Sequence, residues 1–185
     1  MTLPPDCYRG VAARAECLVT GEEMDRALDR LATEVTAALA DQDPLVLCVM
    51  TGGIIAAGQL LPRLDFPLRL DYAHATRYLG ATSGGILEWR HRPSDAIRGQ
   101  HLLLVDDILD EGITLHTLIE ACREDGAASV RSLVLVEKER ERPVSCRADF
   151  VGVRLPNRYL YGYGLDYKHY FRNARGIYAV ADVDI

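Results

Sequence analysis

The sequence lacks the surplus of positive charge that nucleic-acid binding requires. Its 185 residues include 21 Lys and Arg against 27 Asp and Glu, which gives a formal net charge of −6. General nucleic-acid binders use excess cationic side chains to neutralise phosphates, so this composition argues against a nucleic-acid partner. Any phosphate ligand must be held locally, by backbone amides, a metal ion or a few placed cations.

Paired cysteines and long apolar runs are missing as well. The five cysteines are scattered and form no C-x-x-C pair, which argues against a disulfide framework or a zinc ribbon. The first ten residues lack the basic start and apolar stretch of a secretion signal, and no segment approaches the roughly 20 apolar residues of a membrane span. We therefore expect a cytoplasmic protein with reduced thiols and no membrane partner.

The composition that remains is that of one ordinary globular domain. The chain is 49% hydrophobic and 26% charged, and a typical domain has roughly 100–150 residues. We expect residues 1–185 to form a single domain without internal repeats or linkers.

Periodicity predicts an alternation of helices and strands. Thr20 and Glu23 form a T-x-x-E capping box, and apolar residues follow it at steps of three and four. A Gly pair follows the continuous apolar run Leu45–Met50, as expected for a strand buried on both faces. The predicted helices are Thr20 to about Ala40, Ile54–Leu64 and Thr114–Glu124, and the predicted strands are Leu45–Met50, Leu68–Tyr72, a segment near Leu87, Leu102–Val105 and Val130–Val136.

From Leu45 onward these elements read β-α-β-β-β-α-β. This order predicts the α/β class, with an open, mostly parallel sheet flanked by helices. Sheets of this kind bind ligands beyond the carboxyl ends of their strands.

One segment, LLLVDDILDEGITL at residues 102–115, carries a recognisable site. An apolar strand leads into Asp106 and Asp107, and a short loop, 110–114, then opens a helix. Backbone amides in such a loop, with the helix dipole behind them, form a cradle for a phosphate. Gly112 lets the backbone approach a ligand closely, and Thr114 adds a hydroxyl. A Walker A motif is absent.

Carboxylates beside a phosphate cradle suit a ligand that also has sugar hydroxyls and a metal-bound pyrophosphate. Carboxylates accept hydrogen bonds from hydroxyls and hold Mg²⁺ directly or through water. These features together describe phosphoribosyl pyrophosphate. Two solvated acids at a helix start would be the simpler reading of a shorter pattern, because the helix dipole alone favours acidic residues there.

The segment resembles the signature of type I phosphoribosyltransferases, and the last third of the chain narrows the resemblance. Lys138, the DFVG at 149–152, the YLYGYGLDY at 159–167 and the YFR at 170–172 are similar to hypoxanthine-guanine phosphoribosyltransferases in order and spacing. The resemblance covers most of the chain from Leu45 onward. It implies the type I fold with a small hood region, and transfer of a phosphoribosyl group to hypoxanthine or guanine with Mg²⁺ as cofactor.

The resemblance also implies roles for residues on the purine side. Lys138 would donate to O6 of the base and so reject adenine, and Tyr159 would stack on the base. The main chain of Leu160 would bond the base edge, and Asp110 would be the acid or base that exchanges the N7 proton. Asp166 belongs to the same region as a ligand of a second Mg²⁺.

On the phosphoribosyl side, the resemblance assigns the ribose and its 5′-phosphate to residues 106–107 and 110–114, which are Asp106, Asp107, Asp110, Glu111, Gly112, Ile113 and Thr114. Asp106 and Asp107 would also hold the metal and its water shell. Thr51 and Gly52 would form the pyrophosphate loop, with a cis peptide bond between Met50 and Thr51, and Arg172 would contact the pyrophosphate.

Arg77 and Tyr78 match a flap that closes over the transition state, and closure of this kind excludes water. Residues 1–44 are expected to be a helical cover, 45–140 the core and 141–185 the C-terminal part of the purine-binding hood. Family members are usually homodimers or homotetramers, and we expect the same of this chain.

Two residues depart from the family pattern, and two other functions stay open. Glu111 stands where relatives often have Thr, which places a carboxylate close to a phosphate. Asp106 is shorter than the Glu common at its position. A xanthine-preferring enzyme fits the same residues, because xanthine differs from guanine only at C2. A non-catalytic sensor of phosphoribosyl pyrophosphate is the alternative from another class, although Lys138 and Asp166 are both present.

Overall fold

The computed structural model describes residues 5–77, 87–93 and 97–185. Its helices are α1 (Pro5–Arg14), α2 (Gly21–Leu39), α3 (Gly53–Leu60) and α4 (Ile113–Glu124). Its strands are β1 (Glu16–Thr20), β2 (Leu45–Val49), β3 (Arg69–Arg77), β4 (Leu87–His91), β5 (His101–Leu109), β6 (Ser129–Glu139), β7 (Phe150–Pro156), β8 (Leu160–Tyr161) and β9 (Gly176–Ala179).

The main sheet has six strands in the order β4-β3-β2-β5-β6-β7. Five neighbouring strands run parallel, in the order β3-β2-β5-β6-β7. The edge strand β4 pairs antiparallel with β3. The predicted α/β class and the predicted order of elements from Leu45 to Val136 are therefore confirmed.

Alternating side chains of β5 build two hydrophobic cores, one on each face of the sheet. Leu103 and Val105 pack with α2 and α3 on one face, and Leu102 and Leu104 pack with α4 on the other. Successive side chains of a strand point to opposite faces, which is why this strand is apolar without interruption. Helices thus cover both faces of the sheet.

The N-terminus of α2 is fixed by the predicted capping box. The amide of Glu23 donates to Thr20 Oγ1 at 3.3 Å, and the amide of Thr20 donates to Glu23 Oε2 at 2.8 Å. Both bonds satisfy amides that have no partner within the helix. The cap sets where α2 starts.

Several predicted boundaries were wrong. The strand placed at Leu102–Val105 extends to Leu109, because its ladder with β6 continues past Asp106. The helix placed at Ile54–Leu64 starts at Gly53, and its last turn is a 3-10 helix at Leu61–Arg63. These differences move Asp106 and Asp107 from beyond the strand into its last residues.

A second, smaller sheet has three antiparallel strands in the order β1-β9-β8, and we call it the hood sheet. Periodicity did not predict β1, so residues 1–44 contribute a strand as well as helices. Val11 of α1 packs beside Tyr161 and Tyr167 under this sheet, and Arg14 pairs with Asp184 at 2.6 Å. Among the described residues, no helix has the length and apolar character needed to cross a bilayer.

The centre of the main sheet should be sensitive to truncation. Leu103 is fully buried in the core that joins β5 to α2 and α3. We expect Leu103→Ala to lower the free energy of unfolding by about 2–5 kcal/mol, because it leaves a cavity that the neighbours fill only in part. Denaturant unfolding measures the loss. Val183→Ala is the control, since that side chain is 81% exposed and a change of more than about 0.5 kcal/mol is not expected.

Candidate active site

The carboxyl ends of three neighbouring parallel strands, β2, β5 and β6, supply the predicted site. Thr51 and Gly52 follow β2, Asp106 and Asp107 lie near the end of β5, and Lys138 lies near the end of β6. Parallel strands end at the same edge of a sheet, which is where ligands collect in open α/β folds. Residues far apart in the sequence are thereby brought to one edge.

The two adjacent carboxyl groups of β5 are held away from solvent. Asp107 is buried and Asp106 is partly buried, and the amide of Asp107 donates to Asp106 Oδ1 at 2.9 Å. Burial raises the pKa of Asp106, and the charge of Asp107 raises it further. Burial also raises the pKa of Asp107, against the opposing effect of Arg172. A buried pair of acids is costly unless cations or hydrogen-bond donors compensate it.

Arg172 joins Asp107 to Asp166. Its Nη2 lies 2.6 Å from Asp166 Oδ1 and its Nη1 lies 3.9 Å from Asp107 Oδ2. Nη1 also donates to the carbonyl of Gly164 at 2.5 Å, and the amide of His169 donates to Asp166 Oδ2 at 2.7 Å. The segment 164–172 is thus linked to Asp107, near the end of β5, through the guanidinium group of Arg172.

Gly52 lies against the Asp107 carboxylate and leaves no room for a side chain. A Cβ atom at this position would lie 2.0 Å from Asp107 Oδ2, far inside van der Waals contact. The peptide bond between Met50 and Thr51 is cis, as the resemblance implied. The loop after β2 therefore runs directly beside the acidic pair.

The loop 110–114 has the form of an anion cradle. Gly112 precedes α4 with φ of +80°, a left-handed conformation that glycine adopts without strain. A Cβ atom there would lie only 2.9 Å from Cys146 Cβ. Residues 106–115 line a cavity of about 260 Å³, and they include all the predicted phosphoribosyl-binding residues of this segment, Asp106, Asp107, Asp110, Glu111, Gly112, Ile113 and Thr114.

Asp110, at the start of this cradle, is held by two cations from the end of β6. Lys138 Nζ donates to Asp110 Oδ2 at 2.7 Å, and Arg140 Nη1 donates to Asp110 Oδ1 at 2.8 Å. Partial burial acts to raise the pKa of Asp110, but the two hydrogen bonds and the two positive charges outweigh it and lower that pKa. The Asp110 carboxyl group is therefore ionised at neutral pH.

A third cation of the same segment fixes the backbone. Arg142 Nε donates to the carbonyl of Asp110 at 3.0 Å, and its Nη2 donates to the carbonyl of Lys138 at 2.7 Å. Glu137 Oε1 lies 3.2 Å from Arg142 Nη2. The cradle and the end of β6 are thus tied together.

Arg140 and Arg142, in the segment EKERER at residues 137–142, were not among the predicted site residues. Alternation along a strand places residues two apart on the same face. Lys138 lies in β6, and Arg140 and Arg142 come just after its end at Glu139 but keep the same spacing. All three contact Asp110 or its backbone. The spacing of the cations was the available signal.

The predicted base-side residues of the hood form a separate group. Leu160 is buried in β8, opposite Ala179 of β9. Tyr159 is partly buried, its ring centroid lies 5.5 Å from that of Tyr167, and its hydroxyl accepts from the amide of Lys168 at 3.3 Å. Within the described residues, no hydrogen bond or ion pair joins Tyr159 or Leu160 to Lys138 or Asp110.

The predicted flap falls largely outside the described residues. Arg77 is the last residue of β3, and Tyr78 lies outside the described ranges. Glu111 is partly buried within the cradle.

Two carboxylates of the site could contribute ligands to a divalent cation. The carboxylates of Asp107 and Asp166 converge on Arg172, and carboxylate oxygens together with water are the ligands that Mg²⁺ prefers. No group of three or more His, Cys, Asp or Glu side chains suited to a metal occurs in the part of the chain that the structure describes. A cation here would need substrate or water oxygens to complete its shell.

Comparison with known proteins places this geometry in a family. Residues 15–168 match the family described as "Phosphoribosyl transferase domain". A hypoxanthine-guanine phosphoribosyltransferase of Streptococcus pneumoniae (strain ATCC BAA-255 / R6) is 33% identical over 157 residues, which cover 84% of this chain and 87% of the relative. A hypoxanthine-guanine-xanthine phosphoribosyltransferase of Tritrichomonas foetus is 32% identical over 157 residues, with 84% and 86% covered.

The chain belongs to the phosphoribosyltransferase family. The crystal structure of a hypoxanthine phosphoribosyltransferase from Staphylococcus aureus superimposes with a TM-score of 0.85 at 24% identity, over 90% of this chain and 91% of that chain. At this identity the likeness shows the fold, which is the type I phosphoribosyltransferase fold expected from the sequence.

Proposed function

We propose that this protein transfers the 5-phosphoribosyl group from phosphoribosyl pyrophosphate to a 6-oxopurine, hypoxanthine or guanine, and releases pyrophosphate. The observation that carries the proposal is that the phosphate cradle, which includes Asp110, lies in contact with Lys138 at one edge of the sheet. The S. pneumoniae relative bears the name of this activity. The products would be IMP or GMP, as in purine salvage.

In this proposal the cradle binds the 5′-phosphate through the amides of residues 110–114 and the hydroxyl of Thr114. Asp106 and Asp107 hold the ribose hydroxyls. Thr51, Gly52 and Arg172 bind the pyrophosphate, and Arg77 and Tyr78 belong to a flap that closes over the site. Binding energy from the phosphate, which does not react, fixes the ribose for attack.

Mg²⁺ is the proposed cofactor, held by Asp166, Asp106 and Asp107 through direct contacts or water. When bound, it supplies charge neutralisation for the pyrophosphate leaving group. The geometry that supports this proposal is the convergence of Asp107 and Asp166 on Arg172. Arg172, whose guanidinium group lies close to both carboxylates, would share this role by contacting the pyrophosphate.

The proposed reaction is a displacement at C1 of the ribose, with oxocarbenium character. A bond forms between N9 of the purine and C1 as the bond from C1 to the pyrophosphate oxygen breaks. Asp110, as a carboxylate, accepts the imidazole proton of the base at N7. Lys138 donates to O6, Tyr159 stacks on the ring, and the main chain of Leu160 bonds the base edge.

Two other functions compete with this proposal. The T. foetus relative is named for xanthine as well as hypoxanthine and guanine, and Lys138 serves O6 of all three bases alike. A non-catalytic sensor of phosphoribosyl pyrophosphate would keep the cradle but needs no general acid or base. The ionised Asp110, poised by Lys138 and Arg140, favours the enzyme.

One assay separates these functions. The protein is mixed with phosphoribosyl pyrophosphate, Mg²⁺ and, separately, hypoxanthine, guanine, xanthine and adenine, and nucleotide formation is followed. We expect product with hypoxanthine or guanine, no product with adenine, and loss of product when a chelator removes Mg²⁺. Absence of product with every base would contradict the proposed activity. A clear preference for xanthine would mean that xanthine, and not hypoxanthine or guanine, is the substrate.

The assembly that we propose is a homodimer or homotetramer. Ile54, Leu70 and Tyr72 are 48%, 57% and 43% exposed around one apolar surface of α3 and β3, and an exposed apolar patch of this kind is typical of an interface. Sedimentation of the purified chain would test this assembly, and a monomer at all concentrations would contradict it.

The five cysteines are unpaired, which supports the proposed cytoplasmic location.

A further inference from the structure

Arg140 has no role in the proposed reaction, but it contacts Asp110, the proposed acid or base. Lys138 and Arg140 donate to different oxygens of the same carboxylate: Lys138 to Asp110 Oδ2 and Arg140 to Asp110 Oδ1. The guanidinium group is also held from its other side, because Arg140 Nε donates to the carbonyl of Glu141 at 3.3 Å. Arg140 is therefore anchored at Asp110 and not merely solvated nearby.

The proposed roles of Lys138 and Asp110 require their contact to loosen. Lys138 Nζ must turn to O6 of the base, and Asp110 Oδ2 must become available to accept the proton at N7. Lys138 Nζ now lies 2.7 Å from Asp110 Oδ2, the oxygen that must face N7. Purine binding would therefore draw Lys138 away from Asp110 and leave Arg140 as its charged partner among the described residues.

We infer that Arg140 is a positioning residue, which holds the Asp110 carboxylate in place and charged while Lys138 leaves it to bind the purine. This inference rests on the proposed activity and on the proposed role of Asp110. Because Arg140 takes Oδ1 and Lys138 takes Oδ2, the oxygen that Lys138 vacates is the one offered to N7. A charge-assisted hydrogen bond fixes a carboxylate more firmly than a neutral one.

The charged groups around Asp110 support these separate roles, purine binding for Lys138 and positioning of the carboxylate for Arg140. Lys138 and Arg140 are the cations that lower the pKa of the Asp110 carboxyl group, against its partial burial. Arg142 donates to the backbone carbonyls of Asp110 and Lys138 and pairs with Glu137, so these bonds fix the chain and not the Asp110 carboxylate.

The test uses Arg140→Gln in two backgrounds, the wild-type chain and the Asp110→Asn variant. In the wild-type background we expect kcat/KM for hypoxanthine to fall about 3- to 30-fold, less than the 10²–10⁴-fold of a lost general acid or base. The KM for phosphoribosyl pyrophosphate should change less than about twofold. In the Asp110→Asn background, Arg140→Gln should cost less than about twofold more, because its effect is exerted through that carboxylate.

Three comparisons complete the experiment. Arg140→Lys should recover most of the lost kcat/KM, because an ammonium group restores the charge. Arg123→Gln, which removes a surface pair with Glu120, should have wild-type kinetics. An equal loss from Arg140→Gln in both backgrounds, or no loss in the wild-type background, would overturn the inference. The proposed activity would be disproved separately, by a wild-type chain that forms no nucleotide.

Discussion

Asp110→Asn is expected to lower kcat for nucleotide formation by about 10²–10⁴-fold, the usual worth of a general acid or base. The substitution keeps the size of the side chain but removes the charge that accepts the proton at N7. Steady-state rates with saturating hypoxanthine and phosphoribosyl pyrophosphate measure the effect. An unchanged kcat would contradict the role that we propose for Asp110.

The loss must be separated from damage to the cradle, because Asp110 also anchors Lys138 and Arg140. Binding of phosphoribosyl pyrophosphate should be retained in Asp110→Asn, since the cradle amides and Thr114 are unaltered. Asp125→Asn is the matched control, because Asp125 pairs with Arg92 at 2.6 Å on the surface. That variant should keep the wild-type kcat, and both variants should unfold near the wild-type temperature.

The pH dependence has a defined sign. The two cations lower the pKa of Asp110, so its carboxylate persists as the pH falls. Activity should therefore not decline through Asp110 until the pH is below about 4, the unperturbed range of Asp. A fall of kcat/KM that begins near pH 6 and persists in Asp110→Asn would belong to another titrating group, whereas a fall that disappears in that variant would contradict the lowered pKa of Asp110.

The sequence predicted the architecture well because apolar runs and helix caps are local signals. The buried run at Leu45 and the box at Thr20 and Glu23 each depend on neighbouring residues alone. Strand ends were predicted poorly because backbone ladders continue under polar side chains. Asp106 and Asp107 interrupt the apolar run, yet β5 stays paired with β6 to Leu109.

Features that depend on distant partners could not be predicted from local pattern. The strand β1 is half exposed, and it forms because β9, near the other end of the chain, pairs with it. Contacts within the site likewise join residues that are far apart in the sequence. Arg172 meets Asp107 and Asp166 through chain folding, and only resemblance, not spacing, placed these three residues together.

The other large effect is expected on the choice of base. An ammonium group has donors and no acceptor, so Lys138 suits the oxygen at C6 of hypoxanthine and opposes the amino group of adenine. Sites built to bond one polar group reject the analogue that lacks it by about 10⁴–10⁵-fold. We expect the wild-type ratio of kcat/KM for hypoxanthine over adenine to reach that range.

Lys138→Gln should reduce this ratio to about 10²-fold or less, because an amide offers both a donor and an acceptor to the base. Most of the change should come from hypoxanthine, since the variant also removes a charged partner of Asp110. The measurement is kcat/KM for each base at fixed Mg²⁺ and phosphoribosyl pyrophosphate. Lys168→Gln, at the chain's other lysine, should leave the ratio unchanged because its side chain is exposed. A ratio that survives in Lys138→Gln would mean that another group reads C6, and Lys138 would then serve only to hold Asp110.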